Sequence, residues 1–131
     1  MKHFLCITVI LVLFSACQKE EGQGGQATIR GKVFGRYYNN SFSTLIGQAY
    51  VPEADVYIIY GDGFSYGDRV RTNYDGAYEF KYLREGNYKV YVYSKDTLDL
   101  EPSGVYPVIA NVKISKKNQV VTLDDLIINQ N

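Results

Sequence analysis

Apolar and polar positions alternate through residues 72–92, TNYDGAYEFKYLREGNYKVYV. A period of two is typical of strands in a half-buried antiparallel sheet. Asp75-Gly76 and Glu85-Gly86-Asn87 supply residues that tolerate tight turns, so the stretch predicts three strands joined by two hairpins. One face of these strands is predicted to be buried, and it holds Tyr78, Phe80, Leu83, Tyr88, Val90 and Val92.

The same alternation predicts further strands at residues 28–34, 54–60, 69–72, 108–114 and 120–128. The last of these changes parity near Asp124-Asp125, where a β-bulge would accommodate the shift. These strands are expected to add Val33, Val56, Ile58, Val112 and Ile114 to the core. No helix of three turns and no internal repeat is indicated. The chain therefore predicts one all-β sandwich domain over residues 27–131.

The central stretch also resembles the carboxypeptidase regulatory-like domain. The pattern T-x-x-D-G-x-Y-x-F-x-x-L-x-x-G-x-Y-x-V-x-V runs from Thr72 to Val92, and Gly31-Lys32-Val33-Phe34 corresponds to the first strand. Residues 51–58, VPEADVYI, stand where that family usually shows P-x-x-G-A-x-V. The resemblance covers residues 27–128 and implies a seven-stranded, transthyretin-like Greek-key sandwich, similar to adhesin B-type repeats. It implies no particular function, because such domains serve as spacers, docking modules and adhesins.

The N-terminus has the features of a bacterial lipoprotein signal peptide. Met1-Lys2-His3 forms a short positive segment, and residues 4–14 form an apolar run. This run is too short for a membrane span, which needs about 20 residues, but it suits the hydrophobic region of a signal peptide. Phe14-Ser15-Ala16-Cys17 resembles a lipobox, which predicts a signal peptide over 1–16 and a membrane anchor on lipidated Cys17. An ordinary secretory signal with a chance cysteine is the alternative.

Residues 17–26 are predicted to be the lipidated cysteine and a flexible tether, because residues 18–26 contain no apolar side chain. The charges directly after Cys17 resemble a signal that sends lipoproteins to the outer leaflet in some Gram-negative lineages. The alternative is a solvated spacer. Gln18 in place of an aspartate speaks against retention in the inner membrane. We therefore expect an outer-membrane lipoprotein of a Gram-negative bacterium, with exposure at the cell surface if the charged patch is a signal.

The inventory of reactive side chains argues against catalysis and against a zinc site. The single histidine, His3, and Cys6 lie in the predicted signal peptide, and Cys17 is predicted to be blocked. Loop carboxylates such as Asp62 could bind calcium, but the Asp75-Gly76 pair is sufficiently explained as a turn. We predict no enzyme activity, no cofactor and no metal site. Equal numbers of basic and acidic residues, without a basic stripe, give no indication of nucleic-acid binding.

The connection over residues 35–50 is long for a link between two strands, and it is rich in aromatic residues. It could instead contain an extra hairpin with Asn39-Asn40 at its tip. We predict a recognition surface formed by this connection and the glycine-rich loop 61–67, because tyrosine offers a large amphipathic contact with few rotatable bonds. The alternative is that these rings only cover the sheet. The predicted binding residues are Tyr37, Tyr38, Phe42, Tyr50, Phe64 and Tyr66.

These features favour a non-enzymatic lipoprotein of the cell envelope that presents aromatic loops to a protein or glycan partner. A structural spacer or assembly subunit is the first alternative. Transthyretin-like carriage of a small ligand at an oligomer interface is the second.

Overall fold

The computed structural model describes residues 20–131, which form a sandwich of two β-sheets. Among the described residues there is no helix, and therefore none long and apolar enough to cross a membrane. The strands are β1 (Gln23–Tyr38), β2 (Leu45–Tyr50), β3 (Asp55–Tyr60), β4 (Asp68–Arg71), β5 (Ala77–Leu83), β6 (Gly86–Lys95), β7 (Val105–Ile114), β8 (Val120–Thr122) and β9 (Leu126–Gln130). The all-β sandwich predicted from the sequence is confirmed, with nine strands in place of the expected seven.

The long strand β1 organises the five-stranded sheet by changing partners along its length. Its first half pairs with β5 on one side and β8 on the other, and its second half pairs with β2 and β9. Val33 marks the change, because its N–H donates to the Gly76 carbonyl and its carbonyl accepts from the Val51 N–H, both at 2.9 Å. Gly76 has a φ of 75°, and a Cβ there would lie 3.0 Å from the Val33 carbonyl oxygen. Glycine at the Asp75-Gly76 turn thus meets both a conformational and a steric requirement.

The second sheet is antiparallel and has the order β4-β3-β6-β7. Its inward side chains meet those of the five-stranded sheet in one core. All eleven residues that the alternation assigned to the core are buried, which confirms the predicted faces. The core also contains Ala27, Ile29, Val51, Leu126 and Ile128.

The first strand begins four residues before the predicted boundary between tether and domain. The sequence placed residues 23–26 in the tether, but β1 begins at Gln23, which pairs with Leu83. Just before it, the Gly22 N–H donates to the Tyr88 hydroxyl at 2.9 Å, and that hydroxyl donates to the Arg84 carbonyl at 2.6 Å. Sheet pairing uses backbone groups, so a segment without apolar side chains can still join a strand. The predicted signal peptide and Cys17 lie outside the described residues.

The connection 35–50 contains the extra hairpin that the sequence offered as an alternative. β1 continues to Tyr38, and β2 returns antiparallel to it. Asn39 shapes the turn, because its side-chain oxygen accepts from the Ser43 and Thr44 N–H groups at 2.9 and 3.1 Å. Near the C-terminus, the single strand predicted over residues 120–128 is interrupted after Thr122, so that it becomes β8 and β9.

Candidate functional site

Four tyrosine rings contact one another on the outer side of the four-stranded sheet. Tyr57 on β3 is opposite Tyr91 on β6, and Tyr93 follows two residues later. Tyr57 stacks on Tyr91 with ring centroids 5.0 Å apart and meets Tyr93 edge-on at 5.7 Å. The flanking Val90 and Val92 point inward and are buried, so strand alternation sends Tyr91 and Tyr93 outward. We call the cluster of Tyr57, Tyr66, Tyr91 and Tyr93 the tyrosine face.

Tyr66 joins the tyrosine face because the loop 61–67 folds back along β3. The Gly67 N–H donates to the Ile58 carbonyl at 2.8 Å, and the Gly63 N–H donates to the Tyr60 carbonyl at 3.3 Å. A side chain at position 67 would collide with the ring of Tyr60, so glycine is needed for this close approach. The Tyr66 ring is thereby held 5.0 Å from that of Tyr57, in an edge-to-face arrangement.

The tyrosine face combines a covered base with two exposed rings. Tyr91 is only 9% exposed, whereas Tyr66 and Tyr93 are 50% and 48% exposed. Burial raises the pKa of Tyr91, and the neighbouring Tyr93 raises it further. The raised pKa keeps the Tyr91 hydroxyl neutral at physiological pH.

A small pocket of about 210 Å³ opens beside two of these rings. Tyr57 and Tyr93 line it together with Asp55 and Gln130. Asp55 is held by an ion pair with Arg71, with 3.2 Å between carboxylate oxygen and guanidinium nitrogen. A carboxylate and an amide at the edge of aromatic rings can hydrogen-bond a hydroxylated ligand that stacks on those rings.

The six sequence-predicted binding residues are distributed over more than one surface of the fold. Tyr66 lies in the tyrosine face, and Tyr37 is opposite Gln130, which lines the adjoining pocket. Tyr38 packs against Phe42 at the hairpin turn, with 6.0 Å between ring centroids. Phe64 is fully exposed in the glycine-rich loop.

Tyr50 is separated from the tyrosine face by the whole thickness of the sandwich. It lies on the outer side of the five-stranded sheet, where its ring meets Phe34 edge-on at 5.3 Å. The Lys32 ammonium lies 4.7 Å from the centre of the Tyr50 ring, and the Tyr50 hydroxyl donates to Asp125 at 2.9 Å. This hydrogen bond raises the pKa of Tyr50. Tyr50 is thus tied into the surface of its own sheet.

Sequence reasoning missed Tyr57, Tyr91 and Tyr93 as site residues. The available signal was the spacing of Tyr91 and Tyr93, which places both on the face opposite Val90 and Val92. Adding Tyr57 required the register between β3 and β6, which the sequence does not give. Adding Tyr66 required the path of a loop.

A larger groove, of about 520 Å³, runs along β1 and β5. Arg30, Lys32 and Arg71 contribute positive charge to it and Glu79 negative charge. Arg30 is already engaged, because its Nε donates to the Thr122 hydroxyl at 3.1 Å. Within residues 20–131 no group of three or more histidine, cysteine, aspartate or glutamate side chains is arranged to hold a metal ion.

Comparison with known proteins gives structural similarity without a family or curated match. No protein-family model matches the sequence, and the comparison with curated proteins found no match. The chain is similar to a crystal structure of a "putative carbohydrate binding protein" from Pseudomonas aeruginosa, with a TM-score of 0.47 and 13% sequence identity. That similarity covers 79% of this chain and 90% of the other.

Proposed function

We propose that this protein is a non-catalytic binding module that holds a glycan against the tyrosine face. The observation that carries the proposal is the contact of four tyrosine rings on a paired sheet, two of them about half exposed. Sugar rings present flat C–H surfaces that gain dispersion energy on aromatic rings. Tyrosine provides this contact at low conformational cost, because it has few rotatable bonds.

The pocket beside the rings favours a hydroxylated ligand. Its volume of about 210 Å³ is smaller than that of most pockets for drug-sized molecules, so it suits a single sugar unit at the end or edge of a glycan. Asp55 can accept hydrogen bonds from hydroxyl groups, and the Gln130 amide can both donate and accept. The ligand class that fits is a neutral hexose-based glycan.

A protein partner is the second candidate for the same face. Ile109 on β7 is opposite Tyr91 and is 52% exposed, so it extends the aromatic surface with an aliphatic one. Aromatic residues bordered by aliphatic ones are common at the centres of protein interfaces. Within residues 20–131 no comparable feature supports the role of spacer or of small-ligand carrier.

The proposal places this module in the cell envelope of a Gram-negative bacterium, anchored to the outer membrane through lipidated Cys17. The Phe14-Ser15-Ala16-Cys17 motif and the polar segment after it support this placement. We also propose membership of the carboxypeptidase regulatory-like family. In its support, the Asp75-Gly76 turn lies directly before β5. The apolar positions of the family pattern on β5 and β6 are buried, namely Tyr78, Phe80, Leu83, Tyr88, Val90 and Val92.

The test measures binding of the purified chain, in detergent, to a panel of neutral polysaccharides. Tyr66→Ala and Tyr93→Ala should each weaken binding about tenfold, which corresponds to about 1.4 kcal/mol. Tyr74→Ala is the matched control, because Tyr74 is 93% exposed in the β4–β5 turn and outside the tyrosine face. Unchanged binding in both tyrosine-face variants, or an equal loss in the control, would overturn the proposal. Binding of proteins but of no polysaccharide would favour the second candidate.

A further inference from the structure

The strand β2 is exposed on both faces and along one edge. All six of its residues are exposed, including Leu45 at 44% and Ile46 at 71%. A Cβ placed on Gly47 would meet no other atom within 4 Å, so no described residue packs closely on that face at the middle of the strand. Among residues 20–131 β2 pairs with β1 alone, so no described strand pairs with the backbone groups of its outer edge.

This edge is preformed, because the hairpin that carries it is well defined. The Asn39 N–H donates to the Thr44 carbonyl at 3.0 Å, and the Phe42 N–H donates to the Asn39 carbonyl at 2.9 Å. At the other end of β2, the Val51 N–H is bonded to Val33 inside the sheet. A strand fixed at both ends can pair without the ordering cost that a flexible segment would meet.

β2 also lacks the features that protect the other antiparallel edges. The protecting residues are Asp68, Arg69 and Arg71 on β4, Glu79 and Lys81 on β5, and Pro107 and Lys113 on β7. Charges and proline on an edge strand oppose pairing with another chain. The sequence of β2, LIGQAY, has no charge and no proline, which is the composition of strands that readily add to a sheet.

The edge formed by β8 and β9 is uncharged as well, but it is divided into two shorter strands and partly covered. The Asn129 N–H on β9 donates to the buried Ser94 hydroxyl of the other sheet at 2.8 Å. Asp124 and Asp125 interrupt this edge between its two strands. β2 is therefore the better template for an added strand.

We propose that β2 pairs antiparallel with β2 of a second copy of this chain about a two-fold axis. In such a pair, residues of one copy lie opposite residues of the same strand in the other copy, and like charges there would repel. Because β2 contains no charged residue, no register of this pairing brings like charges together. A register centred on Gln48 places Ile46 of each copy opposite Tyr50 of the other. Aromatic residues opposite β-branched ones are favourable cross-strand pairs.

The resulting dimer joins the two five-stranded sheets into one continuous sheet. The tyrosine face belongs to the other sheet, so it stays open in both copies. If that face binds a glycan, as proposed above, two copies bind a glycan that repeats its sugar units with higher apparent affinity than one copy does. The dimer itself does not depend on that function.

The test uses the purified full chain in density-matched detergent and follows its mass by sedimentation equilibrium over a range of concentrations. Backbone hydrogen exchange is measured on the same samples. We expect a monomer–dimer equilibrium, with amides in Leu45–Tyr50 more protected at high concentration. Ile46→Lys should raise the dissociation constant at least tenfold, because it places a charge on the pairing strand of both copies.

Val120→Lys is the matched control, since Val120 is an apolar residue of β8 with 54% exposure on the other edge of the same sheet. It should leave the dimer intact. A chain that stays monomeric at every concentration overturns the proposal. The chain would also stay monomeric if β2 paired with a strand of a different protein, so that outcome overturns the proposal too. A dimer that survives Ile46→Lys, or that Val120→Lys disrupts, also overturns it.

Discussion

Tyr78 and Tyr88 offer a matched pair of substitutions with opposite expected effects on stability. Both side chains are buried, at 3% and 1% exposure, and both rings lie in the core. The Tyr88 hydroxyl accepts from Gly22 and donates to Arg84, at 2.9 and 2.6 Å. The buried Tyr78 hydroxyl has no hydrogen-bond partner among the described residues. The same change to phenylalanine therefore removes two hydrogen bonds at one site and none at the other.

The magnitudes follow from the cost of unpaired buried groups. An unsatisfied buried polar group costs about 1–3 kcal/mol, so Tyr78→Phe should raise the free energy of unfolding by about 1 kcal/mol. Tyr88→Phe leaves the Gly22 N–H and the Arg84 carbonyl without the hydroxyl, and we expect a loss of about 2–4 kcal/mol. For a domain of this size each kcal/mol corresponds to a shift of about 4 °C in the melting temperature.

The assay is urea and thermal unfolding of the two variants and the parent protein, repeated from neutral to alkaline pH. Burial, and to a lesser extent Asp125, raise the pKa of Tyr78 above its usual value of 10.0. A raised folded-state pKa stabilises the fold below the unfolded pKa, and this contribution is lost as pH rises through the raised value. Tyr78→Phe should therefore weaken the loss of stability at alkaline pH. A Tyr78→Phe protein less stable than the parent would refute the assignment of an unpartnered hydroxyl.

Four further outcomes are expected. Phe80→Ala should lower the free energy of unfolding by about 3–5 kcal/mol, whereas an unchanged urea midpoint would place Phe80 outside the core. Phe42→Gly should keep or raise the melting temperature, because Phe42 has a φ of 54° in the hairpin turn and glycine adopts a positive φ without backbone strain. A clear drop would show that the contact between Phe42 and Tyr38 contributes more than the strain costs. Hydrogen bonds from the backbone of Glu101, Leu98 and Leu100 hold the pKa of Asp96 below its usual value. The protection of residues 97–104 against hydrogen exchange, corrected for the intrinsic rate at each pH, should therefore fall as pH drops through that lowered pKa, and Asp96→Asn should remove this pH dependence. Cys17→Ser should abolish incorporation of labelled palmitate, and residual labelling would contradict the predicted anchor.

The sequence alone determined the sheet faces and most of the core. Alternation with a period of two assigned Tyr78, Phe80, Val90 and Val92 correctly, because neighbouring strand residues must point to opposite faces. Asp75-Gly76 predicted its turn because few residues tolerate a positive φ. The same local rules allowed an extra hairpin at Asn39-Asn40, which is present.

The beginning of the first strand was not predictable in this way. Gln23 joins β1 through backbone pairing with Leu83, and Gly22 is tied to the core by Tyr88, which is 66 residues away in the sequence. Neither contact needs an apolar side chain at the N-terminal end. A sequence pattern based on hydrophobicity therefore shows no sign of them.

The candidate site also depended on contacts between segments that are distant in the sequence. A sequence gives the face of each strand but not the neighbour of that strand, because pairing between distant segments is decided by the packing of the whole core. The register of β3 against β6 brings Tyr57 onto Tyr91, and the folded-back loop adds Tyr66. The same packing places Tyr50 on the opposite side of the sandwich, where it bonds to Asp125. Local sequence thus determined which rings face outward, and only the fold decided which of them meet.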